Sequence, residues 1–132
     1  MLDDVSPDTI LTFGPDGMTF HPDHVAIHRW VTEAWKRRDR SPRLLYTALE
    51  SEHRRRFGDR LEAWGIYMTD ERPAPVDAAD LALHVTLAGA VLERKLAALA
   101  AMPSQVGPAL ARLSAPAFRA VNSIESSWRH EW

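Results

Sequence analysis

Between residues 9 and 34 the hydrophobic period changes once, at a loop, and that change fixes the local fold. Thr9, Ile10, Leu11, Thr12 and Phe13 form an apolar, partly β-branched run of strand character. Beyond residue 24, Val25, Ile27, Trp30, Val31 and Ala34 recur at the spacing of one helix face. The stretch between holds Gly14-Pro15-Asp16-Gly17, a turn in which glycine permits backbone angles that other residues resist. It ends in His21-Pro22-Asp23-His24. Strand, glycine-bearing loop and helix in that order predict an α/β unit, and such sheets bind ligands outside the carboxyl ends of their strands.

Pro22 suits the first helical position, where its missing N–H is no loss. His21 then caps the helix, Asp23 lies beside the positive end of the helix dipole, and His24 remains in the first turn. Histidine is the commonest neutral metal ligand, and a neighbouring carboxylate often fixes which ring nitrogen carries the proton. These residues read as a site, with Gly14, Asp16 and Gly17 shaping the loop beside it. His28 lies four residues beyond His24, and is read as a supporting or packing residue rather than half of a metal-binding pair.

The rest of the sequence excludes several function classes. The 132 residues suffice for one domain, here taken as residues 1–132, and 45% hydrophobic with 26% charged residues is ordinary for a globular chain. With no cysteine, a metal must be held by histidine or carboxylate. A net charge of −2 argues against a nucleic-acid field, so Lys36, Arg37, Arg38 and Arg40 are read as a solvated helix end. No apolar run approaches the ~20 residues of a membrane span, and the acidic Met1-Leu2-Asp3-Asp4 start is no signal peptide. The expected location is the cytoplasm.

Helices are expected over residues 22–38 and 50–64, the second ending at Gly65, with strands over residues 43–49, 66–69 and 80–87. Residues 88–102 predict a helix burying Val91, Leu92, Leu96 and Leu99 and stopped by Pro103, followed by two short helices over residues 108–113 and 116–128. His84 is expected to face solvent, His53 and His130 to be solvated among charges, and the tryptophans to serve as packing.

Residues 7–17 together with His21-Pro22-Asp23-His24-Val25-Ala26-Ile27-His28-Arg29 resemble the second motif of the PIG-L/LmbE-type deacetylases. Lys95-Leu96-Ala97-Ala98-Leu99 followed by Ser104-Gln105 resembles a late motif of the same family, in the expected order. The resemblance implies a Rossmann-like, three-layer α/β fold with a mostly parallel sheet, of which this chain is the C-terminal portion. It implies a zinc-dependent hydrolase that removes acetyl from an N-acetylated amino sugar or its conjugate, zinc supplying the activated water. In those terms His24 is a zinc ligand, His21 stabilises the oxyanion, and Asp23 holds the His21 ring in its charged form.

The family's opening His-Pro-Asp-Asp, which carries two zinc ligands and the base, has no counterpart among the six histidines. Phe20 replaces the family's glycine and Met102 its late histidine. The chain is therefore expected to hold an incomplete zinc site and to need a complementing N-terminal half, or to self-associate through an uncovered sheet. The alternative is a non-catalytic interaction module of the same fold.

Overall fold

A computed structural model describes residues 2–38 and 42–130. The elements run α1 (Leu2–Val5), β1 (Thr9–Thr12), α2 (Pro22–Lys36), β2 (Arg43–Thr47), α3 (Ser51–Trp64), a 3₁₀ turn (Ala78–Asp80), β3 (Leu83–Thr86), α4 (Gly89–Ala100), α5 (Pro103–Arg112), α6 (Ala115–Val121) and β4 (Ile124–Arg129). The four strands lie in the order β1-β2-β4-β3. β1 and β2 are parallel and joined through α2, the connection that a parallel pair requires.

The expectation of a mostly parallel sheet is corrected. β4 runs antiparallel to both β2 and β3, so the sheet is mixed. Residues 124–128, read as the end of a helix from the sequence, belong instead to β4, the inner strand that joins the two halves of the sheet. Ile124-Glu125-Ser126-Ser127-Trp128-Arg129 has few apolar residues to mark a strand, yet Ser127 is 2% exposed. Residues 66–69, read as a brief strand, are loop.

Alternation along the strands places Ile10, Leu44, Tyr46 and Trp128 on one sheet face. α2 covers that face with Trp35, and Val31 packs at its margin. Tyr46 and Thr32, both buried, share a hydrogen bond of 2.7 Å between their hydroxyls. Tyr46→Phe should therefore cost about 1–3 kcal/mol, because the Thr32 hydroxyl loses its partner in a dry site. Urea unfolding of the variant measures the loss.

The helix face differs from the sequence expectation. Trp30 is 72% exposed, while Thr32 and Trp35 are the buried residues of α2. Val91 of α4 is likewise exposed, and of its stripe Leu92 alone is fully buried. The sheet's second face leaves Leu11, Leu83 and Val85 largely exposed, and β1 ends the sheet.

The helices after β2 gather at the carboxyl end of the parallel strands rather than over the second face. Leu49, Phe57, Leu61 and Val121 form one cluster there, and Val106, Ala109 and Phe118 form another. Trp64 packs against both. Gly65 caps α3 at φ 74°, the left-handed backbone that a glycine C-cap adopts without strain.

Candidate functional site

The loop from Phe13 to Phe20 is built from its own backbone. The Gly17 N–H donates to the Gly14 carbonyl at 2.9 Å, the Phe20 N–H to the Asp16 carbonyl at 2.8 Å, and the Met18 N–H to Asp16 Oδ1 at 2.9 Å. Gly17, Met18 and Phe20 take φ of 60°, 65° and 58°. For Met18 and Phe20 that backbone costs of order 1–3 kcal/mol each and persists only where surrounding contacts impose it. Phe20 thus takes a backbone angle that glycine accepts freely, the residue that the resemblance leads one to expect there.

α2 starts as its sequence requires. His21 is the N-cap, with φ −65° and ψ 127°, and its Nδ1 accepts the Asp23 N–H at 3.2 Å. Because Nδ1 accepts, the neutral ring carries its hydrogen on Nε2. The Asp23 carboxylate stands 3.9 Å from the same Nδ1, so Asp23 orients the ring through its backbone N–H rather than through a carboxylate hydrogen bond.

His24 lies flat against Phe13, with ring centroids 4.0 Å apart and planes 6° apart. Its Nδ1 is 3.0 Å from the Gly17 carbonyl. A carbonyl only accepts, so Nδ1 carries the hydrogen and Nε2 keeps its lone pair, the arrangement of a metal-ligating histidine. His28 does the same one turn further on, donating to the Phe13 carbonyl at 3.0 Å. The two histidines fasten the start and the middle of the loop to α2.

His21, Asp23 and His24 line one wall of a cleft of ≈ 440 Å³. Trp64, the last residue of α3, and Gly65, Ile66 and Met68 just beyond it line it too, as do Gln105 and Pro108 of α5. The fold thus brings the two sequence motifs, some 80 residues apart, to one opening. His28 lies outside that lining, and Gly14 and Asp16 line a separate cleft of ≈ 180 Å³. Gly17 is buried beneath His24.

Sequence reasoning missed Trp64 as a cleft residue, because its helical spacing with Phe57 and Leu61 marks it as core. The signal that could have found it was its place immediately before the Gly65 cap, where a helix-end side chain is half core and half rim.

Two other histidines are corrected. His130, expected to be solvated, packs its ring 5.3 Å from both Trp35 and Tyr46. His53 packs 4.8 Å from Phe57 and lines a cleft of ≈ 280 Å³ with Glu50, Lys95 and Glu125. Burial pushes the His53 pKa below the ordinary imidazole value, against the opposing pull of Glu50. The unfolded chain therefore takes up this proton first, and the folded state loses stability as pH falls below about 6.5. His53→Gln should flatten that loss, read as a smaller drop in the urea midpoint between pH 7.5 and 5.5.

The chemistry of the donor set limits what the cleft can hold. His24 is ready to give one nitrogen to a metal, but among the described residues no three His, Cys, Asp or Glu side chains converge on one point. A catalytic zinc takes three protein ligands. These residues alone do not make that site.

No protein-family profile matches the chain. It does match curated proteins named 1D-myo-inositol 2-acetamido-2-deoxy-alpha-D-glucopyranoside deacetylase. The one from Saccharomonospora viridis is 34% identical over 115 residues, covering 82% of this chain and 42% of the relative. That from Rhodococcus opacus is 32% identical over 118 residues, covering 78% and 40%. That from a Mycobacterium species is 30% identical over 126 residues, covering 83% and 37%. The chain is similar to sugar deacetylases. It spans about two fifths of their length. The matched region takes in most of the chain, as the two-motif resemblance requires, and no helix among the described residues is long and apolar enough to cross a membrane.

Proposed function

We propose that this chain is part of a PIG-L/LmbE-type hydrolase that removes acetyl from an N-acetylated amino-sugar conjugate. One observation carries the reading: His21, Asp23 and His24 share a cleft with Gln105 of the late motif. The likeness to three named deacetylases supports the same reaction class.

Amide hydrolysis needs an activated water and a donor aimed at the oxyanion that develops on the acyl carbon. His21 serves as that donor through Nε2–H, held in place by the Asp23 N–H on its other nitrogen. Were a zinc ion bound, His24 would offer it one imidazole nitrogen and the ion would supply an activated water, while its other ligands and the base would have to come from a segment carrying His-Pro-Asp-Asp outside these residues. Among the described residues β1 has no strand on its outer edge, and that edge with the exposed Leu11 suits docking of that segment or of a second chain.

The test is release of free amine from an N-acetylglucosaminyl-inositol conjugate in zinc-containing buffer. The chain alone should release none. Mixed with the remaining segment of the Saccharomonospora relative, it should release amine. Inactivity of every such mixture that forms a folded complex would refute the reading.

A further inference from the structure

The cleft that holds His21 and His24 has two further side chains whose polar groups the described fold does not use. Trp64 closes α3, and its ring is wedged between the two hydrophobic clusters, 6.2 Å from the ring of Phe118. Arg112 donates to the Ala63 and Trp64 carbonyls at 3.2 and 3.0 Å, tying α5 to the end of α3. The indole is therefore held firmly while it lines the cleft, and its Nε1–H has no hydrogen-bond partner among the described residues. Gln105 lines the same cleft from the first turn of α5, exposed, and its side-chain amide likewise has no partner among the described residues.

A small-molecule site combines apolar or aromatic wall with a few placed polar groups. This cleft supplies both, on elements separate from the chemistry. A pyranose presents a flat C–H face that suits an aromatic surface, and a rim of hydroxyls that suits an amide able to donate and accept. An acetamido group reaching His21 would leave its ring to be held by other groups in the cleft.

We infer that Trp64 and Gln105 hold the sugar ring of the substrate, Trp64 under its apolar face and Gln105 on a ring hydroxyl. The inference rests on the deacetylase reading and adds the groups that select a pyranoside over a simple amide. Neither residue touches the reacting bond. Their loss weakens binding of the ring, and leaves recognition of a bare amide intact.

Nuclear magnetic resonance of the labelled 132-residue chain tests it, with methyl 2-acetamido-2-deoxy-α-D-glucopyranoside as one probe and N-methylacetamide as the other. The glycoside should shift the Trp64 indole, the Gln105 side-chain amide and the His21 and His24 rings together, whereas N-methylacetamide should shift the histidines without the other two. Gln105→Ala, at an exposed position, should raise the glycoside Kd roughly two- to tenfold, the worth of one neutral hydrogen bond, and leave N-methylacetamide unchanged. Trp64→Phe keeps an aromatic ring in the core and should also raise the glycoside Kd. Shifts at His21 and His24 without shifts at Trp64 and Gln105 overturn the inference and leave the deacetylase reading standing. A glycoside that shifts none of the four overturns the inference, and the deacetylase reading then rests on amine release by the complemented chain.

Discussion

Gly17→Ala is expected to damage both the fold and the site, the largest effect of any single methyl group in the loop. Gly17 stands at φ 60°, a backbone that costs a residue with a Cβ about 1–2 kcal/mol. The added carbon would sit 2.8 Å from the Cβ of His24, closer than real contacts allow, and a tight 3.1 Å from the Val25 nitrogen. Relief of such an overlap by shifting backbone costs a further ~1–3 kcal/mol. The neighbours that would have to move are the first turn of α2 and His24 itself. The Gly17 carbonyl, which fixes the His24 tautomer, would move with them. Urea unfolding reads the stability loss. The His24 ring resonances read the displacement, which Gly14→Ala should not produce, since a Cβ there meets nothing closer than 3.6 Å.

His21→Ala should remove the oxyanion donor and little else. Its ring is only partly buried and contributes one 3.2 Å cap contact to the fold. Loss of an N-cap costs about 0.5–2 kcal/mol, so the variant should still fold. In the complemented enzyme, loss of one oxyanion donor corresponds to about 10²–10³ in kcat. His21→Asn keeps an N-cap side chain and separates capping from catalysis. It should restore the stability and leave the rate low. Equal rates for wild type and His21→Ala in an active mixture would remove His21 from the reaction.

The sequence made the α2 entry legible because capping, proline at the first turn and an acidic first turn are local rules, and the structure places His21, Pro22 and Asp23 accordingly. The parallel pair of β1 and β2 followed from the change of period at residues 13–24, again a local signal. What failed was tertiary. β4 carries Glu125, Ser126 and Ser127, residues with no strand pattern of their own. Pairing on both edges overrides their weak propensity. Trp30 and Trp35 share a helix and differ by five residues, so spacing alone could not tell which one faces the sheet. The packing of Trp35 against Ile10, Leu44 and Tyr46 decides it. The far wall of the cleft joins residues 64–68 to residues 105–108, a contact between elements that no single stretch of sequence announces.

The same limit applies to the metal. The tautomer that readies His24 depends on a carbonyl seven residues earlier, which the loop's glycine brings beneath the ring. The resemblance proposes His24 as a ligand, and the fold shows how its ring is oriented. Neither gives this chain three ligands.

Calorimetric titration of zinc tests the central claim, that His24 is a single ligand of a metal site completed from outside these residues. The chain alone should show no stoichiometric binding below micromolar concentration. The chain mixed with the His-Pro-Asp-Asp segment of a relative should bind one zinc tightly, and His24→Ala should abolish that binding. Submicromolar, stoichiometric zinc binding by the chain alone that survives His24→Ala would contradict the account.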